Sequence, residues 1–214
     1  PALRDGQADV LPSPHVTATR YSDVDDRVYL DEEAAGAGER ELLSLLERRV
    51  EPGRLLDVGC GHGLLLAEAR DRGWSTTGIE LSRASASHAR GLGLDVREQT
   101  FEQTGFAPAS FDAIVAADLI EHIHDPRGFV RGCFELLVPG GVLLIATPDP
   151  ESSIAKLFGR RWWGYIPAHL HLLPRRILRE LLQVEGFLLA DDAPMVRDFS
   201  LGYWTPVWPD APGL

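Results

Sequence analysis

The stretch Leu55-Leu56-Asp57-Val58-Gly59-Cys60-Gly61-His62-Gly63 limits what this chain can fold into more than any other. A short apolar run that meets alternating glycines and then a helical pattern is a strand turning sharply into a helix. Gly59 and Gly61 permit dihedrals closed to other residues and let the backbone come close to a bulky ligand. The helix that follows opens with unpaired amides and the positive end of a dipole. Asp57 adds a carboxylate where an ammonium group could sit. The spacing is GxGxG, with Leu64 where the third glycine of a dinucleotide fingerprint would stand. No GKS or GKT follows, so a phosphate-cradling loop is excluded as well.

The rest of the chain repeats the strand-then-helix rhythm. Strands are expected at 54–58, 75–80, 94–98, 111–117 and 142–147. Helices are expected at 64–72, 82–92 and 126–137, with Ser82 as an N-cap and Pro139-Gly140-Gly141 as a stop. Such alternation predicts an α/β fold, a doubly wound, mostly parallel sheet that binds ligands at the carboxyl ends of its strands. Before it, Leu42, Leu43, Leu45, Leu46 and Val50 recur at helical spacing, and Pro52-Gly53 ends that helix. Residues 1–30 read as a flexible N-terminal segment or lid, with Tyr21 and Tyr29 either closing over a site or packing on the surface. Residues 31–214 read as a single domain. Within it, 151–174 break the rhythm and read as an insertion over the sheet's carboxyl edge. A helix at 175–185 and a strand at 187–190 follow, and the tail from Pro194, with Tyr203, Trp204 and Trp208, has no clear pattern.

Composition narrows the partners. A chain of 214 residues with a formal net charge of −11 repels phosphate backbones, so nucleic acid is a poor substrate. The basic pairs Arg160-Arg161 and Arg175-Arg176 read as surface features. Cys60 and Cys133 are the two cysteines, with neither zinc spacing nor a disulfide framework, which points to the cytoplasm. No apolar run is long enough to span a membrane, and no signal peptide is evident at Pro1. A monomer and a homodimer fit equally well.

The loop Asp57-Val58-Gly59-Cys60-Gly61-His62-Gly63 resembles the first motif of class I S-adenosylmethionine-dependent methyltransferases. Further features fall in the order that family expects. Gly78-Ile79-Glu80 ends the second strand with an acid able to accept both ribose hydroxyls of a nucleoside. Thr100 and Phe101 stand where the family places the adenine, although many relatives carry Asp in place of Thr100. The run from Ser110 through Asp118-Leu119-Ile120-Glu121-His122 to Pro126 resembles the fourth-strand motif of ubiquinone-biosynthesis O-methyltransferases, and Leu137-Val138-Pro139-Gly140-Gly141 fits before the fifth strand. The resemblance covers roughly residues 40–190. It implies a Rossmann-like methyltransferase fold, S-adenosylmethionine as cofactor and S-adenosylhomocysteine as product. The cofactor residues it implies are Asp57, Gly59, Cys60, Gly61, Gly63, Glu80, Leu81, Thr100, Phe101, Asp118 and Leu119.

Methyl transfer from a sulfonium is an in-line displacement, so the protein must orient the nucleophile and, for a hydroxyl, remove a proton. Histidine suits that task near neutrality. His171 and His169, in a His-Leu-His segment similar to one in related bacterial methyltransferases, are the expected bases or orienters, with His122 as a further candidate. Both also have a plain alternative as loop histidines bonded to backbone. Asp118, Glu121 and His122 resemble a divalent-cation cluster of some ubiquinone-pathway relatives, but helix capping explains Glu121 and His122 as well, and no metal is assigned. Trp162, Trp163, Tyr165 and His124 are expected on the substrate side, with a small satellite core as the alternative for the three aromatics. The expected reaction is methylation of a small-molecule hydroxyl in natural-product or quinone-type metabolism. Amine methylation and a non-catalytic S-adenosylmethionine-binding role are the rivals, and Leu64 disfavours a nicotinamide oxidoreductase.

Overall fold

A computed structural model describes residues 32–192. The expected flexible N-terminal segment or lid, with Tyr21 and Tyr29, and the tail with Tyr203, Trp204 and Trp208 lie outside the described residues.

Five parallel strands form one sheet in the order β3-β2-β1-β4-β5. They are β1 (Arg54–Val58), β2 (Ser75–Glu80), β3 (Val96–Glu98), β4 (Phe111–Ala117) and β5 (Leu137–Ala146). The helices are α1 (Glu32–Glu47), α2 (Leu64–Asp71), α3 (Arg83–Gly91), α4 (Pro126–Leu136), α5 (Ser153–Phe158) and α6 (Arg175–Val184). No helix among the described residues is long and apolar enough to cross a membrane.

Alternation along the strands divides the core into two layers. Leu55, Ala113 and Val115 face one side and pack with Leu42, Leu43 and Leu46 of α1, Leu65, Leu66 and Ala69 of α2, and Ala86 and Ala89 of α3. Leu56, Val58, Ile114 and Ala116 face the other side and pack with Phe129, Val130 and Cys133 of α4 and Leu178, Leu181 and Leu182 of α6. The two central strands are thus buried on both faces, which explains their near-continuous apolar runs. The chain order reverses between β1 and β4, so the crevice for a ligand opens between the loops that leave those two strands.

Two expectations about the edges need correction. β5 starts at Leu137, not 142: Phe111 pairs with Leu137 and Ala113 with Val142, so Val138 to Gly141 form a bulge. Gly140 takes a φ of +82° there, and a Cβ on Gly141 would meet the Val138 and Asp112 carbonyls at 3.0 and 3.1 Å. Residues 187–190 do not form a strand. Phe187 N–H turns back to the Leu182 carbonyl behind Gly186, whose φ is +99°, and the Phe187 ring sets its edge on Phe134. The backbone there closes the end of α6 instead of extending the sheet. The insertion is also more ordered than its sequence suggests, holding α5 and a 3-10 turn at Gly159–Arg161.

Candidate active site

The glycine loop is built by backbone hydrogen bonds. Gly59 and Cys60 N–H both donate to the Ile79 carbonyl, at 2.8 and 3.1 Å, and Gly63 N–H donates to the Cys60 carbonyl. Gly59, Gly61 and Gly63 adopt φ of +77°, +51° and +84°, the left-handed region that disfavours a side chain. A Cβ on Gly59 would come within 3.1 Å of Leu119, so the β1 and β4 loops meet there. A Cβ on Gly61 would meet nothing, which means open space lies beside that residue. Gly63 caps α2, where a Cβ would lie 2.5 Å from Leu94 Cδ1 and 3.0 Å from Ala89 Cβ. Gly63→Ala is therefore expected to destabilise the fold by about 2–4 kcal/mol, adding left-handed strain to overpacking. Urea unfolding measures this; an unchanged midpoint would mean the loop relaxes freely.

Glu80 ties the loop to β2. Its Oε2 accepts from Gly61 N–H at 2.9 Å and its Oε1 from Ser82 N–H at 2.7 Å. An ionised carboxylate offers about four acceptor positions, so one such group can hold several N–H and O–H donors at once. Leu81, half-buried, follows directly. Asp57 is buried at the end of β1. Burial beside Asp57 and Glu80 pushes the Cys60 thiol far above its ordinary range, so it is an inert packing group. Thr100 begins a 3-10 turn at Phe101–Gln103, its N–H donating to Gln103 Oε1. The Phe101 ring leans on Phe129 with centroids 4.9 Å apart and fills the space over Gly132. Packing against α4 thus takes much of the ring expected to face a base.

Opposite the glycine loop, Asp118 is exposed with a φ of +49°, and its N–H donates to the Ala146 carbonyl. Non-glycine residues in that region cluster at functional sites, and aspartate is among the side chains that tolerate it. Next comes a 3-10 turn at Ile120–His122. Glu121 is fully buried: Oε2 accepts from Thr147 Oγ1 at 2.9 Å, and its carbonyl accepts from Leu170 and His171 N–H at 2.8 and 3.1 Å. It pins the insertion to the end of β4. His122 Nδ1 meets the Ala168 carbonyl at 2.9 Å, His169 Nδ1 meets the Gly164 carbonyl at 2.8 Å, and the two rings lie edge to face at 4.8 Å. A carbonyl only accepts, so each Nδ1 carries the proton and each Nε2 the lone pair. Burial lowers the His122 pKa to about 4, and burial also lowers that of His169, against the opposing pull of the Gly164 carbonyl and Asp118. Both imidazoles are therefore neutral at pH 7.

Three of the four candidate histidines thus converge at the carboxyl end of the sheet. His171 is the third, with Nε2 buried and without a hydrogen-bond partner among the described residues. His124 stands farther along, just before Asp125, the N-cap of α4. The carboxylate-histidine cluster differs from the expected one. Donor atoms of Glu121, His122 and His169 lie within 4.8 Å of one another, with His169 in the place expected for Asp118. Trp162 is buried, with Trp163 tilted against it at 5.6 Å and Tyr165 edge to face at 5.3 Å. The three rings form a small packed cluster and at the same time line a cavity of about 310 Å³. Glu121 stands in the sequence as an acid among apolar neighbours just past β4, but its role as a buried pin emerges only in the fold. The contact of Leu119 on Gly59 likewise emerges only in the fold.

Fold and crevice together define a Rossmann-like nucleoside-binding domain. The methyltransferase-domain family matches residues 29–190, and the chain belongs to that family, whose methyl donor is S-adenosylmethionine. It is 32% identical over 161 residues to a ubiquinone biosynthesis O-methyltransferase of Caulobacter vibrioides, covering 70% of this chain but only 62% of that relative. A second enzyme of that name, from Cereibacter sphaeroides, is 32% identical over 202 residues, 83% of this chain and 81% of the relative. A crystal structure of a SAM-dependent methyltransferase from Thermotoga maritima superposes with a TM-score of 0.65 at 22% identity, covering 81% of either chain.

Proposed function

We propose that this protein transfers a methyl group from S-adenosylmethionine to a hydroxyl of a small molecule, with His169 as the base. The observation that carries the reading is the fixed tautomer of His169, whose Nδ1–H is held by the Gly164 carbonyl while Nε2 keeps its lone pair and the charge of Asp118 favours protonation of the ring. The cofactor supplies an electrophilic methyl on a positive sulfur. The open space at Gly61 and the acceptor capacity of Glu80 suit its nucleoside, with Gly59, Cys60, Gly63, Leu81, Thr100 and Phe101 around it. Asp57, Asp118 and Leu119 line the side toward its amino-acid end.

Proton transfer decides the acceptor class. His169 Nε2 takes the hydroxyl proton, and Asp118 stabilises the resulting imidazolium. His122, whose pKa is about 4, is too weak a base for that step and serves instead to hold the His169 ring in place. His171, His124 and the Trp162, Trp163, Tyr165 cluster shape the acceptor side. The relatives named as ubiquinone-biosynthesis enzymes support an oxygen acceptor of quinone-precursor type over an amine.

The same donors favour a second reading. Glu121, His122 and His169 fit a divalent cation, which would lower the pKa of a coordinated hydroxyl and take over the role of the base. Incubation with labelled methyl donor and matched phenols, alcohols and amines tests the proposal. Phenol methylation that survives chelator supports it. Exclusive amine methylation overturns the hydroxyl reading, and no transfer to any acceptor favours a non-catalytic binding role. Turnover lost to chelator and restored by added metal supports the cation instead.

A further inference from the structure

We infer that the cavity between Arg160 and Pro167 receives an oxyanion carried by the acceptor, so that the preferred substrate is a planar hydroxyl compound bearing a carboxylate or phosphate. The inference rests on the acceptor reading above. In a chain of net charge −11, Arg54, Arg72, Arg83, Arg127, Arg131 and Arg175 all meet carboxylates. Arg160 and Arg161 have no ion-pair partner among the described residues, yet both line the same cavity. Two adjacent guanidinium groups with no carboxylate partner among the described residues, in a protein rich in carboxylates, suit an anion from outside.

The walls say what the anion is attached to. Trp162, Trp163, Tyr165, Ile166 and Pro167 complete the lining, and the volume of about 310 Å³ lies at the lower end for small-molecule sites. Flat rings and a proline favour a planar body, and the arginines favour its charged end.

The cavity is also joined to the base. A Cβ on Gly164 would lie 2.5 Å from the Trp162 ring, so that glycine is seated on the buried cavity wall. The carbonyl of Gly164 is the group that holds His169 Nδ1. One short segment therefore carries the anion site, the aromatic wall and the anchor of the base. An acceptor gripped at Arg160 and Arg161 is registered against His169 through that segment, which is how remote binding contacts orient a reacting group.

Tryptophan fluorescence of the full chain, saturated with S-adenosylhomocysteine, provides the test. The probes are 3,4-dihydroxybenzoate and phenyl phosphate against neutral catechol, alongside vesicles of phosphatidylglycerol and phosphatidylcholine. The inference expects anionic probes to bind at least roughly tenfold more tightly than catechol and to weaken with salt. Arg160→Gln and Arg161→Gln each reduce that preference by about tenfold, while S-adenosylhomocysteine affinity reports that the domain is intact. Equal binding of anionic and neutral probes, or unchanged preference in both variants, overturns the inference. Binding to anionic vesicles without binding to the soluble anions overturns it too, in favour of a membrane-facing arginine pair. Failure here combined with methylation of neutral phenols leaves the proposed reaction standing. Anion binding without methylation of any hydroxyl does the reverse.

Discussion

Replacing His169 with glutamine is expected to lower turnover by about 10²- to 10⁴-fold while leaving S-adenosylhomocysteine affinity unchanged. Glutamine keeps a polar side chain under Gly164 but cannot take a proton. The wild-type pH profile should carry the signature of the same group. Burial lowers the His169 pKa, so the neutral, active form predominates at and above neutrality. Activity is then flat near pH 7 and falls in acid, with a midpoint below the ordinary histidine value of about 6.5. That acid limb should vanish from the variant's residual activity. Steady-state kinetics and calorimetry measure both quantities. Unchanged turnover removes His169 as base and shifts attention to His171, whose Nε2 is buried without a hydrogen-bond partner among the described residues.

Glu80→Ala is expected to weaken S-adenosylhomocysteine binding about 100-fold, the effect of losing charge-assisted hydrogen bonds worth roughly 3 kcal/mol in total. The loss has two sources. On the proposed reading the carboxylate would no longer accept from the cofactor's ribose, and Gly61 and Ser82 N–H lose the oxygens that hold the loop on β2. Glu80→Gln retains the shape and one carbonyl acceptor, so it should fall between wild type and alanine. Titration calorimetry separates the three proteins. Wild-type affinity in Glu80→Ala would move the nucleoside away from the end of β2.

Much of this architecture was written locally. Leu55, Leu56 and Val58, or Ala113 through Ala116, read as buried strands because continuous apolar runs of that length suit both faces of a parallel sheet. Ser82 announced the start of α3, and its side chain accepts from Ser85 N–H as a cap should. The edges read poorly. At residues 187–190 an apolar run resembles a strand, but the chain there is spent on closing α6 and packing Phe187 on Phe134. The early start of β5 depends on a bulge opposite β4, and bulges follow from pairing rather than periodicity.

The glycine spacing, the acid at Glu80 and the alternation of elements were set by chain-local chemistry: φ values that exclude a Cβ, a period of two or of 3.6, a cap at a helix start. They established the fold class and pointed to the methyl donor. The acceptor side was decided only in three dimensions. Glu121 and His122 are separated from His169 by nearly fifty positions, and backbone bonds from Leu170, His171 and Ala168 bring them together. No local pattern encodes a contact of that separation. Packing a buried carboxylate against the end of an insertion is a tertiary event, and it placed His169, rather than Asp118, beside Glu121 and His122.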